Sequence, residues 1–149
     1  MTPPLSAAAV DLIKHFEGLR LEPYRDPVGV LTIGYGATKG LDDKRLTAEH
    51  PILTEEQAEG LLIRDTIYAA AAVDRMVKVP VNGAQRGALA SFTYNLGAGA
   101  LSESTLLKRV NALEWGDVGY QFSRWIYAGG RVLPGLVRRR AAEAKLFSS

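Results

Sequence analysis

The stretch LEPYRDPVGVLTIGYGAT, residues 21–38, decides the fold of the N-terminal part of this chain. Prolines and glycines at five positions divide it into short segments. One of these segments, VLTI at residues 30–33, is rich in residues that favour extended backbone. The pattern predicts a small antiparallel sheet.

Helical patterns flank this segment on both sides. Ser6 is a suitable N-cap for a first helix, in which apolar residues recur at three-residue steps from Val10 to Leu19. Residues 54–57 (TEEQ) carry a capping-box signature, and the helix that they start extends to about Met76. Further helices are predicted over residues 83–96, 104–113, 115–125 and 134–147.

The expected architecture is one domain, residues 1–149, with a β-containing N-terminal lobe and a helical C-terminal lobe. The predicted limits are 1–53 for the first lobe, 54–76 for a connecting helix and 77–149 for the second lobe. A composition of 47% hydrophobic and 23% charged residues is ordinary for a domain that buries its own core. A cleft between two lobes is the expected place for an extended substrate.

Several kinds of protein are excluded or disfavoured by composition. The chain has no cysteine, which excludes disulfides and thiolate metal sites. The N-terminus lacks the pattern of a secretory signal, and no apolar run approaches the roughly 20 residues that span a bilayer. We therefore expect folding in the cytoplasm and no stable membrane insertion.

Charge is unevenly distributed, with an acidic N-terminal half and a basic C-terminal half. The run Arg138-Arg139-Arg140 is the strongest signal for a phosphate-binding partner such as nucleic acid. On a helix, however, these three side chains point in different directions. We expect one to pack or cap and the others to be solvated, and we do not expect nucleic-acid binding.

Glu17, Asp26 and Thr32 are the candidate catalytic residues. Glu17 lies on the margin of the apolar stripe of the first helix, where a half-sheltered carboxyl suits a general acid. Asp26 lies in a turn beside Arg25, a more solvated place that suits a base. Thr32 lies on the predicted strand that follows, where its hydroxyl is placed to hold a water molecule. Periodicity alone favours a plainer interpretation: a surface charge, a turn residue and a strand former.

Other chemistry-bearing side chains give weaker signals. His15 and His50 are far apart in sequence and lack a ligand pattern, so neither a zinc site nor any other metal site is expected. No phosphate-binding glycine motif is present. Trp115 and Trp125 are assigned to the core because large aromatics at helical spacing usually pack there.

The motifs around the three candidates resemble the catalytic signature of the phage-type lysozymes, the endolysin muramidases. The similar segments are EGLR (17–20), YRD (24–26) and LTIGYG (31–36), and in that family a Glu, an Asp nine positions later and a Thr six further on form the active site. Later segments resemble family motifs in the same order: FTYNLG (92–97), STLL (104–107), RW (124–125) and PGLVRRR (134–140). Nearly the whole chain is covered.

The resemblance implies a mixed α+β, lysozyme-like fold and hydrolysis of the β-1,4 bond between N-acetylmuramic acid and N-acetylglucosamine in peptidoglycan. Glu17 is then the acid, Asp26 and Thr32 position a water, and Tyr24 and Tyr35 line the sugar site. No cofactor is required. The chain departs from many relatives at Ala37, where they carry histidine, so any supporting role of that histidine does not transfer.

Two other functions remain open at this stage. A lytic transglycosylase would use the same glutamate without needing Asp26 as a base, and a catalytically silent wall-binding phage module would need neither. The resemblance further implies a monomeric phage lysis enzyme that accumulates in the host cytoplasm until a separate holin opens the membrane to the cell wall.

Overall fold

The computed structural model describes residues 2–149 and has an α+β fold. Within them, helices predominate and the strands form two small antiparallel pairs. The elements in chain order are α1 (Ala7–Glu17), β1 (Arg20–Arg25), β2 (Leu31–Gly34), α2 (Glu55–Met76), α3 (Gly83–Leu96), α4 (Ala98–Glu103), α5 (Thr105–Asn111), α6 (Trp115–Ser123), β3 (Tyr127–Ala128), β4 (Arg131–Val132) and α7 (Pro134–Phe147).

Contacts divide the chain into two units. The small unit comprises residues 13–65, and the large unit comprises residues 66–149 with the described part of residues 1–12. The boundary therefore falls inside α1 and again inside α2. The lobes predicted from the sequence have different limits, and their arrangement remains a prediction.

In the small unit, β1 and β2 form the predicted antiparallel pair. Tyr24 lies opposite Thr32 and Arg25 lies opposite Leu31. Buried apolar side chains from β2, the following loop and the start of α2 form the core of this unit: Ile33, Ala37, Leu46, Leu53, Ala58 and Leu61.

Local capping accounts for the ends of α1 and the start of α2. The Ser6 hydroxyl accepts a hydrogen bond from the Ala9 amide at 3.3 Å, which confirms the predicted N-cap. Gly18, with φ of +71°, ends α1 in the left-handed conformation that glycine adopts readily. At the start of α2, Thr54 and Gln57 exchange side-chain-to-backbone hydrogen bonds of 2.9 and 3.1 Å, which confirms the capping box.

Within the described residues, the large unit holds five whole helices, α3 to α7, parts of α1 and α2, and the pair β3–β4, around a second apolar core. The helices predicted over 83–96 and 134–147 are confirmed with those limits. The helix predicted over 104–113 is shorter, because Ser104 is its N-cap and accepts from the Leu107 amide. Three elements were not predicted: α4 has only six residues, and β3 and β4 have two each.

The aromatic side chains of the large unit divide between core and surface. Trp125 packs edge-on against Phe92, with 5.3 Å between ring centroids. Trp115 contacts Phe147 at 5.6 Å, yet 39% of its surface stays exposed. Trp115 is therefore a partly exposed edge of the core rather than an interior residue.

The prediction for the run 138–140 was wrong, because two of the three arginines are buried. Arg139 and Arg140 are 3% and 1% exposed, and both pair with Glu143, at 3.4 and 3.1 Å. The Ser91 hydroxyl on α3 donates to the same carboxylate. Buried charges require hydrogen-bonding or charged partners, and one of these partners, Ser91, is on α3. A solvated basic helix face is therefore not formed by this run.

No helix in the described residues, 2–149, is long and apolar enough to cross a membrane.

Candidate active site

Glu17 is the last residue of α1, and its side chain is half-buried against the backbone of Gly36. A Cβ atom at Gly36 would lie 2.6 Å from Glu17 Oε1 and 3.0 Å from Cδ. Such distances are below van der Waals contact, so a side chain at position 36 would displace the end of the Glu17 side chain, whereas glycine leaves it in place. Position 36 therefore helps to fix where the Glu17 carboxyl lies.

A tight loop brings Gly36 to this place. Ile33 and Ala37 exchange backbone hydrogen bonds of 2.9 and 2.8 Å, which closes the three residues between them into a turn. Gly34 and Gly36 adopt φ of +65° and +86°, values that side chains disfavour. The Gly-x-Gly spacing that follows Thr32 in the sequence is thus a geometric requirement of the loop.

Asp26 follows the last residue of β1 and starts the turn to β2. Its Oδ1 accepts hydrogen bonds from the Val28 and Val30 amides, at 3.0 and 2.8 Å, and its own amide donates to the Val30 carbonyl at 2.9 Å. The turn thereby fixes the carboxylate through one oxygen. Within residues 2–149, no hydrogen bond to the other oxygen, Oδ2, is found.

Thr32 lies on β2 and is 5% exposed. Its hydroxyl donates to the Val30 carbonyl at 3.0 Å. Because that bond uses the hydroxyl hydrogen, the Thr32 oxygen faces any further partner as an acceptor. Asp26 and Thr32 are thus tied to one backbone residue, Val30.

Tyr24 links the three candidates. It lies opposite Thr32 in the sheet. The pKa of its phenol is raised above the ordinary value of 10.0, mainly by burial and then by the negative charge of Glu17, with a smaller contribution from Asp26, while Arg20 opposes the shift. Arg20 stacks on the ring at 4.4 Å.

Tyr35 lies in the loop between Gly34 and Gly36 and is half-buried. The Lys14 ammonium lies 5.6 Å from the centre of its ring and pairs with Glu59 at 2.8 Å. The loop places Tyr35 next to the residue that contacts Glu17. A sugar-binding role for Tyr24 and Tyr35 stays a prediction.

The sequence pattern did not reveal the roles of Gly36 and Arg20. The signal for Gly36 was present, because a glycine two positions after another glycine at a strand end marks a turn with positive φ. Arg20 gave no comparable signal. Ala37, the position where many relatives carry histidine, is 2% exposed and belongs to the apolar core of the small unit.

His50 serves a structural purpose in the same unit. Its Nδ1 lies 2.8 Å from the Pro51 carbonyl, and its Nε2 accepts from the Leu41 amide at 3.2 Å. Both ring nitrogens therefore contact backbone and tie the ends of the 41–51 loop together. His15 is exposed and stacks edge-on against Phe16.

Comparison with known proteins shows the family in which this site occurs. The family model of the phage lysozymes matches residues 14–143, which include all the candidate residues. The chain belongs to the phage lysozyme family. Phage lysozymes are glycoside hydrolases, so the protein is an enzyme of that class with the expected lysozyme-like α+β fold.

Individual phage lysozyme relatives agree with this assignment. The endolysin of Acyrthosiphon pisum secondary endosymbiont phage 1 is 38% identical over 97% of this chain and 98% of its own length. The endolysin of Bacillus phage B103 is 42% identical over 96% of this chain, which spans only 53% of that protein. A similar protein of Escherichia phage Mu is named a SAR-endolysin.

Among solved structures, the endolysin of Escherichia coli O157:H7 phage FAHEc1 superposes with a TM-score of 0.88. It is 37% identical to this phage lysozyme, and the match covers 99% of this chain and 94% of that one. The similarity therefore extends over both units and is not confined to the motifs around Glu17.

Proposed function

We propose that this phage lysozyme hydrolyses the β-1,4 bond between N-acetylmuramic acid and N-acetylglucosamine in bacterial peptidoglycan and thereby lyses the host cell. The observation that carries the proposal is the geometry at the β1–β2 turn: Asp26 and Thr32 are both hydrogen-bonded to Val30, and Tyr24 lies opposite Thr32 in the sheet. Glycosidases usually act through two catalytic carboxyl groups.

Glu17 acts as the general acid in this proposal. Its carboxyl group protonates the glycosidic oxygen as the bond to the anomeric carbon breaks, which produces an oxocarbenium-like transition state. The close passage of Gly36 supports the assignment, because a proton donor must be held within hydrogen-bond reach of the leaving oxygen.

Asp26 and Thr32 hold the attacking water. Thr32 donates its hydrogen to Val30 and Asp26 has one oxygen held by the turn, so both groups can accept hydrogens from the same water molecule. That water then presents its lone pair to the anomeric carbon, and Asp26 takes its proton as general base. Attack from the face opposite the leaving group inverts the anomeric configuration, which calls for a separation of about 6.5–9.5 Å between the carboxyl groups.

The first test compares the native protein with Glu17→Gln and Asp26→Asn on purified Gram-negative sacculi. We expect reducing ends to appear only with the native protein, and their NMR spectrum to show the inverted anomer first. Glu49→Gln is the matched control, because Glu49 is exposed in a loop of the same unit. A retained anomer would contradict the water-positioning role, and equal activity of Glu17→Gln would remove Glu17 from the mechanism.

The same digests separate the two alternatives. A lytic transglycosylase leaves anhydro-sugar ends, which mass spectrometry distinguishes by the loss of one water molecule. A wall-binding module would bind sacculi without releasing any reducing ends. The pairing of Asp26 with Thr32 through Val30 favours hydrolysis, because a transglycosylase has no use for a held water.

We also propose that the protein acts as a monomer and reaches the wall from the host cytoplasm with the help of a separate holin. Membership of the phage lysozyme family supports this route. The relative from phage Mu has a different name, SAR-endolysin, so the route is proposed for this chain and not for the whole family. Expression in Escherichia coli with and without an inducible holin tests it: lysis should follow holin induction only. Sedimentation equilibrium tests the monomer.

A further inference from the structure

A pocket lies in the small unit beside the turn that holds Asp26, and Gly29 and Val30 of that turn are among its lining residues. Its volume is about 600 Å³. Its lining includes three cations, two leucines and a threonine, contributed by β1, β2 and the loop that follows: Arg25, Leu31, Thr38, Lys39, Arg45 and Leu46. No acidic side chain lines it.

The pocket opens on the face of the β1–β2 pair opposite to the one that carries Thr32. Tyr24 and Thr32 are directly paired, and so are Arg25 and Leu31. Paired residues share a face of a sheet, and successive residues along a strand alternate between faces. Arg25 and Leu31, which line the pocket, therefore project away from the Tyr24–Thr32 side.

The charges of the pocket are not balanced by the protein. Lys39 and Arg45 lie directly opposite each other in an antiparallel bridge, an arrangement in which like charges repel. Within residues 2–149, neither they nor Arg25 form an ion pair with a carboxylate, whereas nearby Arg64 pairs with Asp65 at 2.9 Å. Arg25 is oriented by its hydrogen bond to the Gly29 carbonyl at 2.9 Å. Three exposed cations with no carboxylate beside them give the pocket a positive charge, which favours an anionic ligand.

We infer that this pocket binds the carboxylates of peptidoglycan stem peptides. The inference rests on the proposed function, which makes peptidoglycan the substrate. Leu31 and Leu46 offer apolar surface beside the cations, which suits an aliphatic peptide carboxylate. Because Arg25 and Leu31 project away from Thr32, the stem is bound on the face of the sheet opposite to the one that carries Thr32. The pocket thus adds a contact to the wall beside the site of cleavage.

A direct binding test uses the Glu17→Gln protein, labelled with ¹⁵N, and a free tripeptide stem, L-alanyl-D-isoglutamyl-diaminopimelate. We expect the amide signals of Lys39 and Arg45 to shift in a saturable way. The variant Lys39→Gln/Arg45→Gln should lose the response. The matched control is Arg75→Gln/Lys145→Gln, which removes one exposed arginine and one exposed lysine from the large unit. This control should show the same signal shifts as the Glu17→Gln protein. Saturation at these amides by inorganic phosphate at lower concentration than by the tripeptide would overturn the assignment.

An activity test compares native sacculi with glycan strands whose stems have been removed by an amidase. In the Lys39→Gln/Arg45→Gln protein, kcat/KM on native sacculi should fall about three- to tenfold, as expected for the loss of two exposed ion pairs. Activity on stem-free strands should equal that of the native protein. An equal loss on both substrates, or a loss on neither, would overturn the inference. Absence of cleavage by the native protein on both substrates would instead contradict the proposed function, and the binding test would still decide whether the pocket takes the stem.

Discussion

The position of the Glu17 carboxyl depends on the absence of a side chain at Gly36. A methyl group at this position would lie 2.6 Å from Glu17 Oε1. We expect Gly36→Ala to lower kcat/KM on sacculi about 100-fold, because a displacement of about 1 Å at a reacting group costs that much. The far-ultraviolet circular dichroism spectrum should remain native.

Gly130→Ala is the control for the backbone strain in this substitution. Gly130 lies in the β3–β4 turn of the large unit and has φ of +76°, near the +86° of Gly36, but a Cβ atom there would meet nothing within 4 Å. Both variants therefore place alanine at a positive φ, and only one disturbs Glu17. A similar loss of activity in both would refute the argument from the Glu17 contact.

Tyr24 gives a pH dependence whose sign follows from its environment. Burial and the nearby carboxylates raise the pKa of its phenol in the folded protein above 10.0. Above pH 10 the unfolded chain loses this proton before the folded protein does, so stability falls as the pH rises through this window. Below pH 10 both states keep the proton and the contribution is constant.

We therefore expect the free energy of unfolding of the native protein to fall more steeply between pH 9.5 and pH 11 than that of Tyr24→Phe. Urea titrations at a series of pH values measure it. Tyr120→Phe, which removes a phenol that is 63% exposed, is the control. Parallel curves for the native protein and Tyr24→Phe would show that the environment of Tyr24 does not shift its titration.

At the scale of elements, the start of α2 depends on a capping box. Thr54 and Gln57 satisfy each other's backbone amides across the first turn. Thr54→Ala should lower the free energy of unfolding by about 1 kcal/mol, the usual value of an N-cap side chain. Thr47→Ala, in an exposed loop of the same unit, should change it by less than about 0.5 kcal/mol. Urea unfolding distinguishes the two, and equal values would contradict the capping argument.

Elements with local signals were predictable and short ones were not. The limits predicted for α3 and α7 agree with the structure, in which Asn82 caps the start of α3 and Pro134 begins α7. It missed α4, whose six residues are too few to show a helical period. It also missed β3 and β4, which have two residues each and turn at Gly129 and Gly130.

At the scale of the whole molecule, the buried charges around Glu143 tie α7 to α3. Glu143 pairs with Arg139 and Arg140, and Ser91 donates to it from a position 52 residues away in sequence. Burial raises the pKa of Glu143, and the two guanidinium groups and the Ser91 hydroxyl act against that rise. The three charges therefore stabilise one another only as a set.

Glu143→Gln should lower the free energy of unfolding by about 3–5 kcal/mol, because it leaves two buried guanidinium groups without their counter-charge. Glu103→Gln removes an exposed carboxylate from the same unit and should change stability by less than about 0.5 kcal/mol. Chemical denaturation at neutral pH measures both. A loss below 1 kcal/mol for Glu143→Gln would show that the set contributes little.

The sequence by itself determined the α+β class, the order of the main helices, the β1–β2 pair and the residues proposed for catalysis. Each of these rests on hydrogen bonds or periodicities that span a few neighbouring residues, or on motifs read along the chain. Only the tertiary structure decided that Gly36 lies against Glu17, that Arg139 and Arg140 are buried, and that three cations share a pocket behind Thr32. Those outcomes depend on which distant residues pack together, and packing in three dimensions is not encoded by the spacing of residues in one segment.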